Sequence, residues 1–345
     1  MPRPVGDERI FLEKVKPVSI LLVLFVLAAL TFDFLNGFHD SANVVATAIA
    51  SRAMAPRYAL ALGALTNFAG PFLFGVAVAT TIGSEVVAPY AITIPVALAA
   101  LVSAIVWNLV TWRLGIPSSS SHALIGGFIG AAVAGYGLSA IQPEGMVKII
   151  IGLFISPFLG LGLGLLVMKT VLYVGKSFTP RANVFFLRSQ WLTTMALGLS
   201  HGTNDAQKTM GVIAMGLVAF GVLPRFSVPA WVIFASATSI ALGTALGGWR
   251  LIRTMGAGFY RVRPTHAFSS QVGSAVVILG AGLWGAPVST TQVISSSIVG
   301  AGSAERVNKV RWGIVGNIVT AWVFTIPINC LLGAALFMFF SLFNL

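Results

Sequence analysis

Seven ionisable residues stand out among the apolar stretches of this 345-residue chain, away from the ends of the long runs: Asp33, His39, Asp40, His122, His201, Asp205 and Lys208. A charge at the centre of a membrane helix costs at least ~2.5–3.5 kcal/mol, so such residues usually mark function. Two of the surrounding segments look alike: Asn36-Gly-Phe-His-Asp40 and His201-Gly-Thr-Asn-Asp205. Asp40 and Asn43 in the first, and Asn204, Asp205 and Gln207 in the second, offer hard oxygen ligands that suit Na⁺ or a proton. His39, His122 and His201 can titrate near neutral pH, although a histidine that only bonds a helix end is the commoner case. Gly37, with Asn, Asp and Ser around it, supplies residue types that unwind helices. Each motif is therefore expected to be a break between two half-helices, in the first copy between 18–35 and 44–50.

A second chemistry sits in two hydroxyl clusters, Pro117-Ser-Ser-Ser-Ser121 and Pro287-Val-Ser-Thr-Thr291. Proline suits the first turn of a helix. A helix that starts at depth presents free N–H donors and a positive dipole end, which makes an anion site. Two such starts facing each other would hold a tetrahedral oxyanion through Ser119, Ser120, Ser121, Ser289, Thr290 and Thr291. Plural, modest contacts permit release. A lone serine cluster more often only packs helices closely; the pairing argues for more.

These residues need elements to hold them, and the composition says which. The chain is 57% apolar and 9% charged, with mean hydropathy +0.93. A soluble domain carries about a quarter charged residues. Long runs such as 58–81, 92–112, 146–172 and 312–345 approach or exceed the ~20 residues that span a bilayer. They are apolar all round, without the alternation of a β-barrel. The net charge of +12 is scattered over short connections, as the positive-inside rule expects, so a nucleic-acid partner is excluded. The connection with Lys169, Lys176, Arg181 and Arg188 is placed on the cytoplasmic side. The single cysteine, Cys330, excludes an internal disulfide framework. Residues 1–17 read as a short tail without a signal-peptide cleavage site.

The chain also repeats itself. Gly115 to Ala131 aligns with Gly285 to Ala301, and the Asp motifs recur in the same order. Each half holds an odd number of crossings plus one short broken unit, which inverts the second half relative to the first. The expected fold is an all-α polytopic membrane protein of two inverted-topology repeats. It has broken helices, two re-entrant helical hairpins and about 10–12 membrane segments. The divisions are a tail (1–17), a first repeat (18–174, hairpin near 117–131), a basic connecting loop (175–190) and a second repeat (191–345, hairpin near 287–301).

At these residues the sequence resembles the PiT inorganic phosphate transporter family, whose repeated signature is similar to Gly-Ala-Asn-Asp-Val-Ala-Asn. It stands here as Gly37-Phe-His-Asp-Ser-Ala-Asn43 and Gly202-Thr-Asn-Asp-Ala-Gln-Lys208. The resemblance covers nearly the whole chain. It implies symport of inorganic phosphate with Na⁺ or H⁺ across the inner (plasma) membrane. Cations would lie near Asp40, Asn43, Asp205 and Gln207, and phosphate near the six hydroxyl residues. Two departures matter: His39 replaces an Asn, and Lys208 replaces the Asn matching Asn43. An ammonium cannot ligate Na⁺. The sequence looks like the bacterial low-affinity branch, associated with proton coupling, and the coupling site then comprises His39, Asp40, Asn43, Asn204, Asp205, Gln207 and Lys208. No cofactor and no resident metal are implied. Phosphate carried as a complex with a divalent metal, and a homodimer, stay open.

Concentrating a solute 100-fold costs about 2.7 kcal/mol, and moving a dianion against ~100 mV about 4.6 kcal/mol more, at ~2.3 per charge. One cation without a gradient returns only about 2.3. At least two cations, or a metal–phosphate pair plus a proton, are required. A sulfate or other oxyanion permease is the nearest rival; protonated phosphate donates hydrogen bonds, so a nearby carboxylate such as Asp40 or Asp205 favours phosphate over sulfate. A membrane hydrolase lacks its motifs, His-Glu-x-x-His or a nucleophile elbow. A channel filter of carbonyls favours cations and does not suit anion-type helix starts.

Overall fold

The computed structural model covers all 345 residues, and the description concerns residues 20–177, 179 and 181–343. The tail, 1–17, lies outside the described residues. The first half runs α1 (Ile20–Ala50), α2 (Pro56–Leu73), α3 (Ala77–Ser84), α4 (Ile94–Leu114), α5 (Ser120–Tyr136) and α6 (Pro143–Val174). The second runs α7 (Ala182–Ala219), α8 (Ala230–Leu246), α9 (Trp249–Arg253), α10 (Pro264–Leu283), α11 (Thr290–Glu305) and α12 (Trp312–Ser341). Proline opens or nearly opens α2, α4, α6 and α10, where its missing N–H has no helical partner to lose. Among the described residues the β-structure is one isolated bridge, Val87 to Ile141.

The halves are inverted. Ser51 at the end of α1 bonds Gln190 near the start of α7 at 2.7 Å. At the other end, Gly216 of α7 abuts the ring of Phe25 in α1. The two equivalent helices therefore run antiparallel. Packing obeys the same exchange: α1 lies on α8 as α7 lies on α2, and α5 on α12 as α11 on α6.

Both hairpins re-enter. α4 and α5 turn at Gly115 and come back together, with Tyr136 Oη donating to Thr93 Oγ1 at 3.4 Å. α10 and α11 turn at Gly285 and close with His266 Nε2 2.8 Å from Glu305 Oε2. The turns need left-handed backbone, φ 71° at Gly115 and 72° at Gly285, which glycine adopts without steric cost. The arms of the first hairpin share an apolar cluster with Phe25 and Phe32 of α1. Those of the second share one with Val44, Val45 and Ala48. The hairpins thus enter from opposite sides, and their tips meet between the two clusters.

Several expectations change. The Asp motifs are not unwound: α1 and α7 run unbroken through them. Their glycines serve close packing. A Cβ at Gly37 would stand 2.1 Å from the Ile240 carbonyl oxygen, and one at Gly202 would stand 2.3 Å from that of Asn67. The breaks fall instead on α2–α3, bent by 78°, and on α8–α9, bent by 63°. The stretch 92–112, read as a span, is the first arm of a hairpin, so each hairpin is longer than 117–131 or 287–301. The connecting loop is shorter than 175–190, because α7 starts at Ala182. Residues 182–187, Ala-Asn-Val-Phe-Phe-Leu, are mostly apolar and form its first turns.

Five helices (α1, α4, α6, α10 and α12) are long and apolar enough to cross a bilayer, and the two bent pairs raise the number to seven. With α7, α5 and α11 the embedded segments among the described residues number ten. The 38-residue α7 is less apolar than those five helices because its middle carries the polar site.

Candidate substrate and cation site

The middle of α1 (36–43), the middle of α7 (200–208) and the two hairpin tips form one buried polar layer. α5 and α11 both begin in it. Ser119 caps α5 by accepting from the backbone N–H of His122 at 3.2 Å, and Ser289 caps α11 through Gln292 at 3.3 Å. Two helix starts, with their free N–H groups and positive dipole ends, thus converge. The tips touch where Ser121 Oγ donates to the Val288 carbonyl at 3.3 Å.

Four hydroxyls beyond the caps join tips to helices. Ser120 donates to Asn36 Oδ1 at 2.5 Å. Thr290 donates to Asp205 Oδ2 at 3.0 Å, and Thr291 to Asp40 Oδ1 at 3.1 Å. Ser121 accepts from Lys208 Nζ at 2.6 Å. Lys208 is fully buried, and its ammonium also reaches Asp205 Oδ1 at 2.5 Å and the Val288 carbonyl at 3.1 Å. A buried cation is tolerated only when paired and hydrogen-bonded, and each of its three protons has a partner.

The carboxylates lie close together. His39 Nδ1 is 2.9 Å from Asp40 Oδ1. His201 Nε2 lies between the two acids, 3.2 Å from Asp205 Oδ2 and 3.9 Å from Asp40 Oδ2. Asp40, His201 and Asp205 each offer a ligand atom, all within 4.8 Å of one another, a set that could hold a cation.

Of the sequence-derived residues, the structure gathers His39, Asp40, Asn43, Asp205, Lys208, Ser120, Ser121, Thr290 and Thr291, with Ser119 and Ser289 beneath them as caps. Asn204 faces the second tip, its amide 3.4 Å from the Ala286 carbonyl. Gln207 is elsewhere. Its oxygen accepts from the N–H groups of Val78 and Ala79, and its amide donates to Gly75. It ties down the bend between α2 and α3, satisfying N–H groups that a helix start leaves free.

Sequence reasoning did not place Asn36, Thr111, Ser118 or Asn67. Ser118 donates to Thr111, which reaches His39 Nε2 at 3.4 Å. Asn67 faces His201 Nδ1 at 3.2 Å and donates to Thr244. Asn36 opens the first motif, and that position was a usable signal. Asn67 is one amide in an apolar helix, with no local pattern around it.

Inverted repeats that close two re-entrant tips over a midplane polar layer define a multi-pass membrane transporter of the secondary-carrier architecture. The chain belongs to the phosphate transporter family, whose pattern matches residues 36–333; it is a transporter and not an enzyme. A relative from Bacillus subtilis (strain 168), named "probable low-affinity inorganic phosphate transporter", is 45% identical over 91% of this chain and 96% of its own length. One of the same name from Rhizobium meliloti (strain 1021) is 45% identical over 91% and 95%. Among solved structures, one titled "The sodium-dependent phosphate transporter" superposes with a TM-score of 0.83. It covers 94% of this chain and 100% of its own, at 23% identity, a likeness of fold.

Proposed function

We propose that the chain imports inorganic phosphate by cation symport with alternating access in the inner (plasma) membrane, and that the coupling cation is H⁺. One observation carries the reading: the hydroxyls of Thr290 and Thr291 donate straight to Asp205 and Asp40. A phosphate that accepts from those hydroxyls instead leaves both carboxylates short of donors. A proton or cation arriving with the anion restores the balance, so the two ligands enter together. The family and the names of the relatives support phosphate as the substrate.

Lys208 supports H⁺ over Na⁺, because its ammonium holds the place that an amide oxygen would need to ligate sodium. The Asp40, His201 and Asp205 set supports a second form of the substrate, phosphate paired with a divalent metal. In either form at least two positive charges must accompany a dianion, by the ~2.3 kcal/mol per charge that ~100 mV imposes.

The test is labelled-phosphate uptake into proteoliposomes, with pH and Na⁺ gradients imposed separately. Uptake driven by an inward proton gradient alone is expected. Uptake that follows Na⁺ and ignores pH sinks the proton assignment, and transport of sulfate in place of phosphate sinks the substrate.

A further inference from the structure

Behind the tips, on the side away from α1 and α7, lies a second cavity of about 460 Å³. α6 and α12, equivalent helices of the two halves, form its walls, including Phe154, Phe158, Val319 and Trp322. Its polar groups include His122 and Gln292, which occupy equivalent positions one residue past the two hydroxyl clusters. It therefore sits on the pseudo-two-fold axis, back to back with the polar layer. No Asp, Glu, Lys or Arg lines it, so a phosphate or any other fully charged ligand is excluded on desolvation grounds.

Two atoms are left without partners. His122 Nε2 and Gln292 Oε1 are buried and make no hydrogen bond, although both side chains line the cavity. Gln292 Nε2 faces His122 Nδ1 at 3.4 Å. That contact makes Nδ1 the acceptor and puts the ring proton on Nε2. Beside the hydroxyl residues Ser295 and Ser296, the polar patch thus holds one unpartnered donor, His122 Nε2–H, and one unpartnered acceptor, Gln292 Oε1. Buried polar atoms without partners are costly, and a head group that donates and accepts at once satisfies both. The size and the mainly apolar lining with a few convergent polar groups are those of a small-ligand pocket.

We propose that this cavity binds a neutral single-chain amphiphile from the bilayer, with a hydroxyl head between His122 and Gln292 and its chain along α6 and α12. Phe158 and Val323 at its wall are exposed, and on membrane helices that means access from lipid. The bound head joins the first tip to the second from behind and restrains the movement of the tips. It slows transport without competing with phosphate.

The probe is a twelve-carbon alcohol carrying a photoreactive diazirine, added to proteoliposomes of the full chain, with labelled peptides mapped after irradiation. Saturable labelling of 153–161 and 312–326 is expected. Excess dodecanol displaces it, and dodecane does so about tenfold less well, the effect of ~1.4 kcal/mol of lost hydrogen bonding. Val319→Phe, with Val315→Phe as a second variant, fills the cavity and abolishes the labelling while phosphate uptake without alcohol stays intact. Dodecanol lowers maximal uptake at unchanged KM in the wild type and not in the filled variant. Labelling that does not saturate, that dodecane displaces as well as dodecanol, or that survives both filled variants overturns the proposal. So does protection of these peptides by a second copy of the chain. Labelling does not depend on transport, so the pocket and the symport reading fail separately.

Discussion

The two half-sites answer the same geometric problem with different chemistry. In one, the Asn43 amide donates to Thr291 at 3.0 Å. In the other, the Lys208 ammonium donates to Ser121 at 2.6 Å. Each nitrogen comes from the same position of its motif and reaches the same position of the opposite tip. The acids differ accordingly. Asp205 faces a fixed cation, whereas Asp40 faces imidazoles and a hydroxyl. Of the two motif acids, Asp40 is the one that has no lysine paired with it. The duplication preserved a contact and changed the charge beside it, a lysine in one half and an amide in the other.

The sharpest way to break this comparison is to neutralise each acid. Asp205→Asn leaves the Lys208 cation buried and unpaired, and removing one partner of a buried pair costs about 3–5 kcal/mol. Asp40→Asn weakens bonds to a carboxylate that has no lysine paired with it, about 1.5–3 kcal/mol. Thermal unfolding in detergent should rank them so, and Asp40→Asn should fold yet fail in proton-driven uptake. Equal destabilisation would mean that the acids are equivalent.

Next in size come the packing glycines. Gly37→Ala and Gly202→Ala both force a methyl against a backbone carbonyl, and overpacking costs about 1–3 kcal/mol. Matching losses in the same unfolding assay are expected, because here the halves remain alike.

Lys208→Asn makes the second half copy the first. It should lower uptake driven by a pH gradient and bring in dependence on Na⁺, a change in coupling of about 1–3 kcal/mol or 5–150-fold. Unchanged ion dependence would remove Lys208 from the coupling scheme.

The smallest effect concerns the hairpin mouths. The second is ionic, with Glu305 against Arg263, His266 and Lys309; the first has the Tyr136–Thr93 hydroxyl bond and aromatic contacts of Tyr136 at the corresponding place. Glu305→Gln should cost about 0.2–1 kcal/mol, as partly exposed pairs do, and the loss should shrink at high salt. Tyr136→Phe should show no salt dependence.

The membrane class, the repeat and both tips were legible in the sequence because each rests on local pattern: hydropathy, a matched offset, and Gly-x-Pro before a hydroxyl run. The carboxylates were legible because charge is rare in such segments. The state of the motifs was not. Gly37 with Asn36, Asp40 and Ser41 reads as a helix breaker when seen alone, yet tertiary partners satisfy most of the polar groups and the glycine admits Ile240. Ser41, for example, accepts from the Gly248 N–H at the bend of α8 and α9. Gln207 was misplaced for the same reason, since its task lies at a bend 129 residues earlier in the chain. The bends had a quieter signal, glycines at 75 and 247 with positive φ.

The hydroxyl-to-carboxylate bonds bear on the half of the cycle that carries nothing. A symporter that accumulates its substrate has to turn back empty on every round, and an empty layer of unpaired hydroxyls, acids and an ammonium would resist being moved. Here Thr290, Thr291 and Lys208 spend their donors on the neighbouring acids and on the opposite tip, so the polar layer balances much of its charge among its own side chains. Under the symport proposed above, side chains that pair with one another in this way would ease the return step and favour net uptake over exchange of one phosphate for another.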